Sequence, residues 1–296
     1  MQLVFVLFGM SVLIFVIIRM VPGDPALILA GSNASPATLA AIRHEWGLDQ
    51  PIYIQYLVWV GNILHGNLGS SITSSQPVSA IVFPALTNTL SLASLGVALM
   101  IVIGVGFGII SGVRSGGIVD YATSIGSLFG ISLPTFWVGI ILILVFSVTL
   151  HWLPLGGFKG LESLVLPAIT LATSSIPIVT RQTRSGIIES LEQDYARAAK
   201  ARGVSSIKVI LKHALKNALI PVLTVAGIES GYMVAATVVV ETVFAYPGIG
   251  QLLLSSILSR DYPVIQASVL VIAVIFILIN LVTDLLYAYV DPRIKY

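Results

Sequence analysis

The sequence predicts an all-α protein that crosses a membrane several times. Of its 296 residues, 56% are apolar and only 9% charged, and the mean hydropathy is +1.00. Soluble domains carry about 25% charged residues. Apolar runs of about twenty residues recur along the chain, the length that crosses a hydrocarbon core of roughly 30 Å. A membrane β-barrel would instead show alternating segments of about ten residues. Backbone polar groups in a bilayer must be satisfied internally, so runs of this length read as helices.

Six spans are expected, over residues 2–20, 87–113, 119–150, 164–186, 218–243 and 264–288. The first lacks a basic leader, and Arg19-Met20-Val21-Pro22 offers no small-residue cleavage site, so it reads as a span rather than a signal peptide. The third is too long for a straight crossing and is expected to start as a short interfacial piece around Asp120–Gly126. The chain divides into the first span (1–20), a segment with amphipathic helices (21–86), and a five-span core (87–296) that includes a basic loop at 181–216.

In the 21–86 segment, Ser35-Pro36 is an N-cap followed by proline at the first helical position. Leu39, Ile42 and Trp46 then share one face. After Pro51, Tyr53, Tyr56, Leu57, Val60 and Leu64 form a second amphipathic stretch. An aromatic-rich helix of this kind lies in a membrane interface or forms a platform for an external partner.

Lys and Arg orient the spans. With the N-terminus inside, eleven fall on the cytoplasmic side: Arg114, eight between Arg181 and Lys216, Arg293 and Lys295. Four fall outside: Arg19, Arg43, Lys159 and Arg260. Both termini are therefore expected in the cytoplasm.

Several functions are excluded or disfavoured. The net charge of +2 gives no basis for nucleic-acid binding. With no cysteine there are no disulfides, thiolate metal sites or cysteine nucleophiles. His44, His65, His151 and His213 are far apart and lack ligand spacing. Gly104-Val-Gly-Phe-Gly108 lies inside an apolar run without a preceding strand or a following lysine, so it reads as helix packing. Gly108-x3-Gly112, Gly126-x3-Gly130 and Gly227-x3-Gly231 allow similar close approach. No GxxxxGK[ST], HExxH or GxSxG motif occurs, so neither an ATPase site, a metal site nor a catalytic residue is assigned.

The basic loop carries the most informative pattern. Leu191, Tyr195, Ala198 and Ala199 recur at helical spacing up to Arg202, and Gly203 suits a left-handed cap. Ser205 then opens a second helix, with Ile207, Ile210, Leu211, Ala214, Leu215 and Ala218 on one face as far as Pro221. A basic amphipathic hairpin can rest on anionic lipid. A small-residue face beside a rigid glycine turn better suits a protein groove.

The run Asp194-Tyr-Ala-Arg-Ala-Ala-Lys-Ala-Arg-Gly203, followed by His213-Ala-Leu-Lys-Asn-Ala-Leu-Ile-Pro221, resembles the "EAA" loop of ABC-importer permeases. Val21-Pro-Gly-Asp-Pro25, Glu241-Thr-Val-Phe-Ala-Tyr-Pro-Gly-Ile-Gly250, Arg260-Asp-Tyr-Pro263 and Asn280 through Asp291-Pro-Arg293 narrow the likeness to the first permease subunit of the dipeptide/oligopeptide/nickel importers. The resemblance covers essentially the whole chain. It implies a type I ABC importer permease fold in a bacterial or archaeal cytoplasmic membrane. The partners it implies are a second homologous permease, two ATP-binding subunits that hold ATP and Mg, and an extracytoplasmic substrate-binding protein. This chain itself would hold no cofactor.

By that resemblance Asp194, Tyr195, Arg197, Ala198, Ala199, Arg202 and Gly203 form the element that couples to an ATPase. Arg197 stands where many members have the glutamate of "EAA", and the Leu-Ile-Pro end lies further from the glycine than in the general motif. Those departures argue for different charge contacts in the docking.

Ionisable groups inside spans cost at least about 2.5 kcal/mol to place there, so each is a candidate site. Glu229 and Tyr232 are candidates to line a substrate pathway, with Glu241 and Asp284 as further candidates; the competing role for each is an interhelical hydrogen bond. Trp46, Tyr246, Pro247, Arg260 and Asp261 are expected to face a docking binding protein. Peptide, nickel or metal chelate, and glutathione are the substrate alternatives. An intramembrane enzyme would need a nucleophile–base pair at one depth, which no span supplies. A self-sufficient secondary transporter would leave the helix–Gly–helix loop unexplained.

Overall fold

In the computed structural model, residues 2–20, 26–27 and 34–290 are described; Val21–Pro25 and Asp291–Arg293, two of the motif stretches above, lie outside them. The described residues are helical with no strand, apart from one isolated bridge between Ser70 and Pro77. In chain order the helices are α1 (Gln2–Met20), α2 (Pro36–Glu45), α3 (Ile52–Leu64), α4 (Val78–Val113), α5 (Ile118–Ser132), α6 (Thr135–Leu142), α7 (Glu162–Ala172), α8 (Ile176–Glu192), α9 (Asp194–Ala201), α10 (Ser206–Val209), α11 (Leu215–Val243), α12 (Ile249–Ser259) and α13 (Tyr262–Val290). π-helical stretches follow α6 (Ile143–Thr149) and α10 (Ile210–Ala214).

By length and composition, α4, α11 and α13 can each cross a membrane. Two bent pairs can each serve as one further span: α5 with α6 and its π-helical extension, bent by 102°, and α7 with α8, bent by 57°. With the shorter apolar α1, this accords with the six expected spans.

The third span departs from expectation. The chain breaks at Leu133-Pro134, not beyond Gly126, and residues 118–132 form a continuous helix. The reason is local. Proline disfavours a helical conformation in the residue before it, and Leu133 is extended at φ −84°, ψ 130°. Asp120 also proves buried.

The chain separates into two compact units, one of residues 1–88 and 247–275, the other of residues 89–246 and 276–296. The divisions at 246/247 and 275/276 both fall within the 87–296 region that the sequence assigns to one core. In the first unit, the Phe15 ring of α1 lies 5.4 Å from Tyr56 and 5.6 Å from Trp59 of α3. Ser11 and Tyr56 hydroxyls are hydrogen bonded at 2.8 Å. Val78, Val82, Ile249, Val264 and Ala267 form a further apolar cluster in this unit. The Ser35 cap is as expected: its hydroxyl accepts the Thr38 N–H at 3.1 Å, and Pro36 begins the helix.

The second unit packs around Leu92, Met100, Leu171, Val179, Met233 and Val240. Its helices approach closely at glycines. A Cβ at Gly104 would stand 2.9 Å from Val179, one at Gly112 2.9 Å from Ile187, and one at Gly108 would overlap Thr183. These three glycines form a single seam along α4 against α8, as the Gly-x3-Gly spacing predicts. Gly227 and Gly231 of α11 similarly receive Thr283 and Phe276 of α13. Gly126 is the exception. Gly130 meets Pro177, whereas nothing stands within 4 Å of a Cβ at Gly126.

Candidate functional site: the α9–Gly203 element and its surroundings

α8 does not continue smoothly into α9. Gln193 between them is extended at φ −68°, ψ 151°, and its carbonyl accepts the N–H groups of Ala196 and Arg197. This break resets the helical phase. Tyr195, Ala198 and Ala199 keep their helical spacing within α9, but the break takes Leu191 out of that helix. Ala196 and Ala199 turn inward against Val209, with Leu191 and Val204 packed around them. Tyr195, Arg197, Ala198 and Arg202 are exposed, as is Asp194 in the first turn. Of the seven expected coupling residues, Ala199 is a packing residue and the other six are on the surface.

Gly203 closes the element. It has φ +78°, a conformation that glycine adopts without steric cost. The Val204 N–H then reaches back to the Ala199 carbonyl at 3.2 Å, a Schellman-type closure. The second helix is shorter than its periodicity implies. Ser206–Val209 is followed by the π-helical turn, which shifts the face again. Val209, Ala214 and Ala218 are buried, while Ile207 is 70% and Leu211 59% exposed. Pro221 does not begin a span; it lies inside α11.

The candidate pathway residues separate into two kinds. Glu241 is fully buried and accepts the Thr89 hydroxyl at 2.6 Å, so it holds helices together instead of lining an open path. Glu229 is half-buried, and no hydrogen bond or ion pair to it occurs among the described residues. It borders an uncovered stripe on α11 in which Ile228, Tyr232 and Val239 are 49%, 63% and 46% exposed. Asp284 is exposed on α13.

The expected docking residues also divide. Tyr246 is fully buried, its ring 5.9 Å from Phe158 in an edge-on contact, so it is unavailable to a partner. Asp261 is likewise buried and turned inward. Its carboxylate accepts the Ser71 hydroxyl at 2.5 Å and the N–H groups of Ile72 and Thr73 at 3.1 and 3.2 Å. Four residues of sequence alone could not reveal that this acid fixes a loop 190 residues away. Pro247 and Arg260 are exposed. Trp46, 42% exposed, lines a cavity of about 580 Å³ in the first unit together with Arg19, Arg43, Trp59, Asn62 and Gln266.

Sequence reasoning missed one constellation. Asp120, in the first turn of α5, is 4% exposed and receives four donors. Ser111 Oγ and Arg184 Nε reach Oδ1 at 2.5 Å each, and the Gly116 N–H and Arg184 Nη2 reach Oδ2 at 2.8 and 2.7 Å. The available signal was an acid three residues beyond Gly116-Gly117 at a helix start, where a negative side chain complements free N–H groups.

Together, apolar helices packed closely and carrying a helix–Gly–helix loop define a multi-pass helical membrane protein. Comparison with known proteins gives the family. Residues 104–296 match the family described as binding-protein-dependent transport system inner membrane component, and residues 1–93 match that family's N-terminal membrane component. The chain belongs to this family. It is 41% identical to a probable peptide ABC transporter permease, y4tP, of Sinorhizobium fredii, over 97% of this chain and 94% of the relative. It is 40% identical to the oligopeptide transport system permease AppB of Bacillus subtilis, over 98% and 96%. It is 41% identical to the glutathione transport system permease GsiC of Escherichia coli, over 98% and 95%. A chain of the MetNI methionine ABC transporter, solved in inward-facing conformations, shares the fold with a TM-score of 0.60 at 21% identity, over 71% of this chain and 96% of that one. The chain is thus a multi-pass, all-α ABC-importer permease component.

Proposed function

We propose that this permease takes up short peptides by alternating access, driven by ATP hydrolysis in two partner subunits that dock on the α9–Gly203 element. The observation that carries this reading is the construction of that element. Its inner side is locked by Ala196 and Ala199 on Val209, while Tyr195, Arg197, Ala198 and Arg202 project from a turn fixed by a left-handed glycine. A rigid, exposed, basic knob transmits displacement instead of absorbing it. The substrate path runs between this chain and a second, homologous permease, with Glu229 and Tyr232 on the uncovered stripe of α11 facing it. An extracytoplasmic binding protein delivers substrate to Trp46, Pro247 and Arg260. The Lys and Arg distribution supports an inner-membrane topology with both termini in the cytoplasm.

Nothing in this chain stands within 4 Å of a Cβ at Gly203, so within the chain a substitution there acts through backbone conformation. Gly203→Asn, which tolerates positive φ, retains ATP-dependent uptake in reconstituted vesicles. Gly203→Val inserts and assembles but loses uptake by at least tenfold. Equal uptake by both variants would remove the coupling role. The names of the relatives favour a peptide, with the tripeptide glutathione as a second reading. Titrating the cognate binding protein with dipeptides, longer peptides, glutathione and Ni²⁺ separates these.

A further inference from the structure

The structure assigns a positioning role to the Asp120–Arg184 pair: it pins α4, α5 and α8 into one body, so that displacement of α9 is delivered to the spans. The inference rests on the coupling function proposed above for the α9–Gly203 element.

The geometry is unusually complete for a single carboxylate. An ionised carboxyl group offers about four acceptor positions, and all four here are taken, two on each oxygen. The donors come from the last turn of α4 (Ser111), the turn between α4 and α5 (Gly116) and the middle of α8 (Arg184). Arg184 binds in the bidentate, fork-like manner that fixes direction as well as distance. Thr123 of α5 adds a hydroxyl contact to Ser111 at 2.9 Å. Three helices therefore meet on one buried charge.

Its position in the chain suggests why. Arg184 is nine residues before Gln193, the extended break that separates α8 from α9. A break of this kind is a place where motion of α9 can dissipate as local bending. On the other side of the break, the glycine seam already presses α8 on α4 through Gly104, Gly108 and Gly112. Apolar packing resists separation but permits sliding along the seam. A bidentate ion pair, which fixes direction as well as distance between α5 and α8, resists that sliding. The seam and the pin together leave α8 no motion independent of α4 and α5.

The experiment uses the complete transporter, with both permeases, the ATPases and the binding protein, in proteoliposomes. Uptake and binding-protein-stimulated ATP hydrolysis are measured together for Asp120→Asn, Arg184→Gln, Arg184→Lys and the reversal Asp120→Arg/Arg184→Asp, with assembly checked by size-exclusion chromatography. The expected result is that Asp120→Asn and Arg184→Gln keep stimulated ATP hydrolysis within about threefold while uptake falls at least tenfold, so that more ATP is consumed per substrate. Arg184→Lys, which keeps charge but not the fork, falls between, and the reversal restores part of the ratio. Uptake and hydrolysis falling in proportion in assembled complexes would reduce the pair to a stability element and overturn the proposal. So would an unchanged ratio. Should Asp120→Asn fail to assemble, Arg184→Lys and Ser111→Ala, each of which leaves Asp120 partly bonded, decide by the same ratio. Failure of the coupling reading itself shows separately, as normal uptake by Gly203→Val.

Discussion

At the scale of single residues, the acids of this chain do different work according to what surrounds them. Asp261 satisfies three donors of the 71–73 loop from a buried position. Each buried donor left without a partner costs about 1–3 kcal/mol. Asp261→Ala is therefore expected to release residues 70–77, visible as faster amide hydrogen exchange there than in α11, while Asp261→Asn, which keeps one acceptor oxygen, shows a smaller change. Unchanged exchange in Asp261→Ala would remove the assigned role. Glu229 presents the opposite case, a half-buried carboxylate without a bonding partner among the described residues. Glu229→Gln is expected to leave folding and ATP hydrolysis intact while lowering uptake of peptides with a free amino terminus. Undiminished uptake of every peptide would exclude Glu229 from the path.

At the scale of elements, helix contacts are set by where side chains are missing. A side chain at Gly227 would drive into Thr283 of α13, and overpacking of this kind costs about 1–3 kcal/mol. Gly227→Val is expected to lower the Tm of the solubilised protein by several degrees. Gly126→Ala, with open space around its Cβ, should leave Tm unchanged or raise it, since glycine in a helix is about 1 kcal/mol less favourable than alanine. Thermal shift measurements on the two variants distinguish a packed glycine from an unpacked one that has the same sequence spacing. Breaks are as informative as contacts. Pro134 is readable in advance because its effect on the preceding residue is local. The break at Gln193 has no proline or glycine to announce it, and it takes Leu191 out of the helix that carries Tyr195, Ala198 and Ala199.

At the scale of the whole molecule, the single chain leaves apolar stripes uncovered, among them Ile228, Tyr232 and Val239 on α11 and Leu278, Val282 and Leu285 on α13. Membrane helices expose such faces to lipid or to a partner. Cross-linking of single cysteines placed at Ala235 and Val239, feasible because the native chain has none, is expected to capture the second permease through α11. Labelling only by lipid-phase reagents would place the partner elsewhere. The sequence by itself determined the helical class, the Ser35–Pro36 cap, the α4–α8 glycine seam and the left-handed Gly203. Each of these depends on composition or on the conformational limits of one or two neighbouring residues, and such limits travel with the sequence. Only the tertiary structure decided that Asp261, Tyr246 and Glu241 face inward, that Ala196 packs while Ala198 does not, and that Asp120 and Arg184 meet. Those outcomes depend on which distant group completes a hydrogen bond or fills a volume, and periodicity within one helix carries no record of its partner.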